Sequence, residues 1–307
     1  MTNVVASLDP RLTPEPPSTV APVVSPVGDR WARRRRRIAV LLMIAYAVLM
    51  FVPFSWSIIT SFKTLPDSVR MTFLPDPFTT AGWEYAFNTL DPSLPALFLN
   101  SAAIAAAVTV TNLVLGSLAG YAFARLRFPG REALFLIVLA TLMIPDQLRL
   151  VPVYLMLNGA GLTRGFAQYI GVVTVLAISG TSIFFMRQYF LTIPKDLEEA
   201  ARIDGAGFFT TFLRVMLPLA GPALATVAVL QFQGTWNGFF WPLIILQDRA
   251  HWTLPLALAG FRLAGGFTTN WPPQMATIVM ATLPILVLYL FFQRYFVPSV
   301  AKTGMTG

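Results

Sequence analysis

The chain holds 307 residues, 56% of them hydrophobic and only 12% charged, against roughly 25% charged in soluble domains. Cysteine is absent and His251 is the only histidine, which excludes disulfides, thiolate metal sites, zinc clusters and the usual catalytic triads. A net charge of +8 raises nucleic acid as a partner, but the basic residues sit at the ends of apolar runs, where a membrane protein keeps them, so nucleic acid is set aside.

Residues 1–30 carry six prolines and little aromatic content, too little apolar surface to offset chain entropy, and are expected to be disordered. With the arginine run at 33–37 they make a cytoplasmic tail, 1–37, ahead of a membrane domain, 38–307. The run is read as an orientation signal with attraction to anionic lipid, worth about 1 kcal/mol per residue near the surface. The uncharged stretch 38–62 lacks a small-residue cleavage site and predicts an uncleaved first span. Further spans are predicted over 97–124, 133–157, 166–186, 215–247 and 263–293. The third is interrupted by Pro145, Asp146 and Arg149. A charge at mid-bilayer costs about 2.5–3.5 kcal/mol, so these residues belong near the outer surface or against a wet cavity.

The fold expected is therefore all-α and integral to the membrane, with six transmembrane helices. An inside amino terminus puts 16 of the 22 Lys and Arg residues on the cytoplasmic side and 6 outside, in keeping with the positive-inside rule. Both termini are then cytoplasmic in a multi-pass cell-membrane protein.

Between the fourth and fifth spans lies a cytoplasmic segment long enough to fold, 194–222, PKDLEEAARIDGAGFFTTFLRVMLPLAGP. Pro194 fits a first helical turn, and Asp196, Glu198 and Glu199 suit the positive end of the helix dipole. Leu197, Ala200 and Ala201 share a face; Asp204 and Gly205 allow a bend before Phe208, Phe209, Phe212 and Leu213 supply another. Two short helices with a joint are predicted. Interfacial helices that rest on headgroups are rich in Lys and Arg, whereas the first half here carries four acids against Lys195 and Arg202. A protein partner is favoured over lipid.

Residues 199–222, EAARIDGAGFFTTFLRVMLPLAGP, resemble the coupling-loop signature of ATP-binding-cassette importer permeases: EAA, then DGA, an aromatic, and a closing LP. The resemblance implies that Glu199, Ala200, Ala201, Asp204, Gly205 and Ala206 form cytoplasmic coupling helices that enter a groove of a separate ATPase. QGTWNGFFWPLIIL at 233–246, WTLPLALAGF at 252–261 and LPILVLYLFFQRYFV at 283–297 are similar to the carbohydrate branch of the family, of the maltose and glycerol-3-phosphate type. It departs in its longer amino-terminal tail and in ending AKTGMTG, where the family tends to Gly-Ala-Val-Lys-Gly. The implied partners are a second homologous permease, an ATPase dimer carrying ATP and Mg, an extracytoplasmic substrate-binding protein and the bilayer. The implied substrate is a sugar or related polyol, with glycerol-3-phosphate or glycerophosphodiesters as the alternative.

This chain itself carries no Walker-type glycine loop, and its lysines are only Lys63, Lys195 and Lys302, so it is expected to be a transport subunit without cofactor or catalytic residue. SVAK and KTG at 299–304 mimic β-lactamase strings in a tail with no domain around them. Gly116 and Gly120 suggest close helix packing, and His251 beside Trp252 a surface aromatic pair. In the fifth span Gln231, Gln233, Thr235, Trp236 and Asn237 suit a hydroxylated ligand, with Gln233, Trp236 and Asn237 taken as the substrate-pathway residues, or else hold helices together. An autonomous gradient-driven carrier is the rival reading; it would want ionisable groups at mid-bilayer, which spans one, two, five and six lack.

Overall fold

The computed structural model describes residues 27–70, 72–264 and 270–303, and among these every regular element is helical. The chain divides into two units, 1–53 and 54–307. The first contains most of α1 (Val27–Thr60), and since that helix begins at Val27 the arginines at 33–37 are helical. Of the tail predicted for 1–37, with disorder expected over 1–30, residues 27–37 are helical; the remainder lies outside the described residues.

In the second unit the chain continues through α2 (Leu94–Arg125), α3 (Arg131–Thr141), α4 (Asp146–Gly159), α5 (Ala167–Leu176) and α6 (Gly180–Thr192). It then forms α7 (Asp196–Ile203), α8 (Phe208–Leu219), α9 (Gly221–Trp236), α10 (Phe240–Ile245), α11 (Leu254–Ala264) and α12 (Trp271–Thr303). Three helical stretches, Trp31–Thr60, Leu94–Arg125 and Trp271–Gln293, are long and apolar enough to cross a membrane, and three bent pairs raise the count to six if each is one span.

The bends explain where uninterrupted spans were expected and broken ones occur. At Pro145 the third span turns by 98° between α3 and α4, where the sequence placed its interruption. The fourth turns by 47° between α5 and α6, where Ser179 caps the new helix by accepting a bond from the Ser182 amide. The fifth turns by 78° between α8 and α9, because Pro222 has no N–H to bond the carbonyl of Pro218. It also ends at Trp236 rather than running through residue 247. The sixth begins at Trp271; residues 254–264 form α11, and 265–269 lie outside the described residues.

Helix α2 is the axis of the second unit, packing most extensively against α6 and α9. Close approach to α6 is set by glycine: a Cβ on Gly120 would lie 2.6 Å from Met186 Cβ, and one on Gly116 2.9 Å from Ser182 Cβ. Three apolar clusters follow α2 along its length. Leu94 and Leu97 near its start pack with Trp236 and Leu254. Val108 packs with Val172, Trp241 and Ile245. At its end Tyr121 packs with Met186, Phe190, Phe212 and Met216.

Candidate functional site

Segment 194–222 forms the jointed pair of helices expected from its sequence. Helix α7 carries Asp196, Glu198 and Glu199 in its first turn, against the partial positive charge of its unpaired amides. It ends at Ile203 because Gly205 takes φ +84, a left-handed conformation costly for other residues, and the Ala206 amide returns to the Ala201 carbonyl at 2.9 Å. Across the joint the Arg202 guanidinium stacks on Phe208, 5.1 Å from the ring centre.

The two neighbouring glutamates have opposite fates. Glu198 turns inward: its side chain is 8% exposed, and its Oε1 lies 3.0 Å from Nε of Arg125, itself 4% exposed, close enough to pair but off the hydrogen-bond line. Arg125 also donates to the carbonyls of Phe190, at 2.6 Å, and Ile193. Tyr121 and Phe212, with ring centres 5.1 Å apart, seat the start of α8 beside this pair. Glu199, Ala200, Asp204 and Gly205 are exposed, and Ala201 and Ala206 half-buried. Leu197, Ile203, Phe208 and Phe209 are exposed around them, so the outer face is apolar with an acidic edge. Sequence reasoning placed both glutamates on one docking surface and missed the pair with Arg125; a basic residue closing the second span was the available signal.

The predicted fifth-span residues divide: Gln231 and Thr235 line one cavity, whereas Gln233, Trp236 and Asn237 are not in its lining. Trp236 is 2% exposed, donates from Nε1 to the Ala281 carbonyl at 2.9 Å, and lies between the rings of Phe232 and Phe98. Gln233 and Asn237 are exposed. The cavity, about 480 Å³, opens beside α9 at Gln231, Gly234 and Thr235, and just beyond it at Gly238. The breaks at Pro145 and Ser179 bring Thr141, Asp146, Arg149 and Ser179 to its wall, and α10 adds Trp241.

Behind that wall is a polar hub. Asn112 of α2, fully buried, donates to the Leu176 carbonyl at 2.7 Å and accepts from the Ser179 amide at 2.9 Å and the Ser182 hydroxyl at 3.1 Å. Gln231 spends its amide on the hydroxyls of Ser179 and Ser182, 2.9 Å from each. The hub satisfies backbone groups freed by the helix break, which in a membrane have no water to turn to. Among the described residues no cluster of His, Cys, Asp or Glu could hold a metal ion.

Broken apolar helices around a polar cavity, with an amphipathic elbow at one end, define a polytopic membrane transport subunit. Residues 112–302 match the family of binding-protein-dependent transport system inner membrane components, and the chain belongs to that family. It is 35% identical over 273 residues to the arabinooligosaccharides transport system permease protein AraQ of Halalkalibacterium halodurans, covering 87% of this chain and 96% of that one. It is 31% identical to the sn-glycerol-3-phosphate transport system permease protein UgpE of Agrobacterium fabrum, again over 87% and 96%. Among solved structures, a bacterial ABC transporter involved in the import of the acidic polysaccharide alginate superposes with a TM-score of 0.75, at 26% identity over 87% of this chain and 98% of that chain.

Proposed function

We propose that this chain is one of two membrane subunits of an ATP-binding-cassette importer, passing inward a sugar or related polyol delivered by an external substrate-binding protein. ATP and Mg are held by a separate ATPase dimer, and both termini of the six-span chain are cytoplasmic. The observation that carries this reading is the elbow. Helix α7 is fastened to the bundle through Glu198 and Arg125 while Glu199, Ala200, Asp204 and Gly205 stay exposed for another protein. The small side chains of Ala200, Ala201 and Ala206 let a partner groove close on the backbone.

Closure of the ATPase on nucleotide then carries the elbow with it, and the spans rock between inward-open and outward-open states. The test is uptake by the whole transporter bearing Glu199→Lys with Gly205→Trp. Membrane insertion should be retained and ATP-driven uptake abolished; unchanged uptake overturns the coupling role. A second reading, import of glycerol-3-phosphate or glycerophosphodiesters, is favoured by the likeness to UgpE.

A further inference from the structure

The cavity beside α9 bears on the choice between these substrates. Its wall has two charged residues, Asp146 and Arg149. They are bound to each other: Arg149 donates from Nε to Asp146 Oδ1 at 2.9 Å and makes a second, shorter contact through a terminal nitrogen to the same oxygen. The side chains are 46% and 43% exposed, so the pair stands at the opening and is solvated, not locked in the core. The guanidinium is also held over the Trp241 ring, 5.7 Å from its centre. The lining therefore has no net charge. An anion approaching the remaining N–H groups of Arg149 would meet the repulsion of the Asp146 carboxylate at short range, and its attraction to the guanidinium is largely offset.

The rest of the wall suits hydroxyl groups. Gln231 has used both amide hydrogens on Ser179 and Ser182, which leaves its carbonyl oxygen as an acceptor, and the Thr235 hydroxyl has no protein partner among the described residues. Phe239, exposed at the wall, supplies an apolar face that the C–H side of a sugar ring stacks against, and buried Trp241 backs the wall beneath Arg149. Gly234 keeps the space open, since a Cβ built there meets nothing within 4 Å. We infer that this cavity, formed at the breaks of the third and fourth spans, is a binding site for neutral saccharides that discriminates against phosphate and carboxylate ligands. The inference rests on the importer reading and names the substrate class within it.

A chain without cysteine allows a direct test. Thr235→Cys places one thiol in the wall, and its reaction with N-ethylmaleimide is followed by mass on this chain, in the assembled transporter purified through it. Arabinobiose or maltose at ten times its dissociation constant should slow labelling about tenfold, because the site is then mostly filled. Glycerol-3-phosphate at the same concentration should leave the rate unchanged. Adding Gly234→Leu, which fills the space without a backbone clash, should abolish protection by the sugars. Equal or better protection by glycerol-3-phosphate overturns the inference, as does failure of both sugars to protect, or protection that survives Gly234→Leu. ATPase copurification is scored in the same preparation, so loss of the importer reading registers separately from loss of this one.

Discussion

Arg125 ends the second span and holds three things at once: the Glu198 carboxylate and the carbonyls of Phe190 and Ile193. Removing one member of a buried pair leaves the other charge uncompensated, so Arg125→Ala and Glu198→Ala should each destabilise the purified chain by about 3–5 kcal/mol. The double variant Arg125→Met with Glu198→Leu should cost less than either, and thermal unfolding in detergent decides the order. Glycines make a second contrast at this scale. Gly120→Ala presses a methyl within 2.6 Å of Met186 Cβ and 2.9 Å of the Arg187 amide, and should cost about 1–3 kcal/mol by the same assay. Gly234→Ala meets open space within a helix and should be neutral or stabilising by up to about 1 kcal/mol.

Among the elements, the turn between the first two spans has its own polar lock. Asp67 accepts from the Asp76 amide and the Thr72 hydroxyl, both at 3.1 Å, while buried Lys63 donates to the Thr72 carbonyl and hydroxyl. The Asp76 amide, then the Thr72 hydroxyl and the Lys63 charge, hold the Asp67 carboxyl below its ordinary value of 3.8, against an opposing push from burial. A lowered folded value means the stabilisation is complete above that ordinary value and is lost as pH falls through the lowered one. Amide exchange over residues 64–78, corrected for intrinsic rate, should be flat from neutral pH down to about 5 and rise below about 4. At this scale the sequence was readable where a single residue forces the geometry. Pro145 announced the broken third span, and the acids of α7 with Gly205 announced the jointed helices. The bend at Ser179 was not readable, because it depends on Asn112, 67 residues away in the chain, to satisfy the freed amide. Trp236 misled for a related reason: an indole that suits a ligand also suits the Ala281 carbonyl, and composition cannot say which it meets.

Taken whole, the molecule belongs to a family of membrane transport components, and the six-span reading assigns its loops to opposite sides of the bilayer. The absence of native thiols makes that assignment measurable. With a membrane-impermeant maleimide, Val69→Cys should label in right-side-out vesicles and Asp204→Cys only in inverted ones; the reverse pattern would put the elbow outside and end the coupling proposal. The knot at Arg125 has a mechanical corollary. It binds the end of α2, the end of α6 and the start of the elbow, so a stroke delivered to α7 cannot slide these against one another without tearing a buried charge from its partner. Under the proposed coupling, displacement imposed at the elbow would therefore travel with α6 as far as its interruption at Ser179, which borders the cavity beside α9.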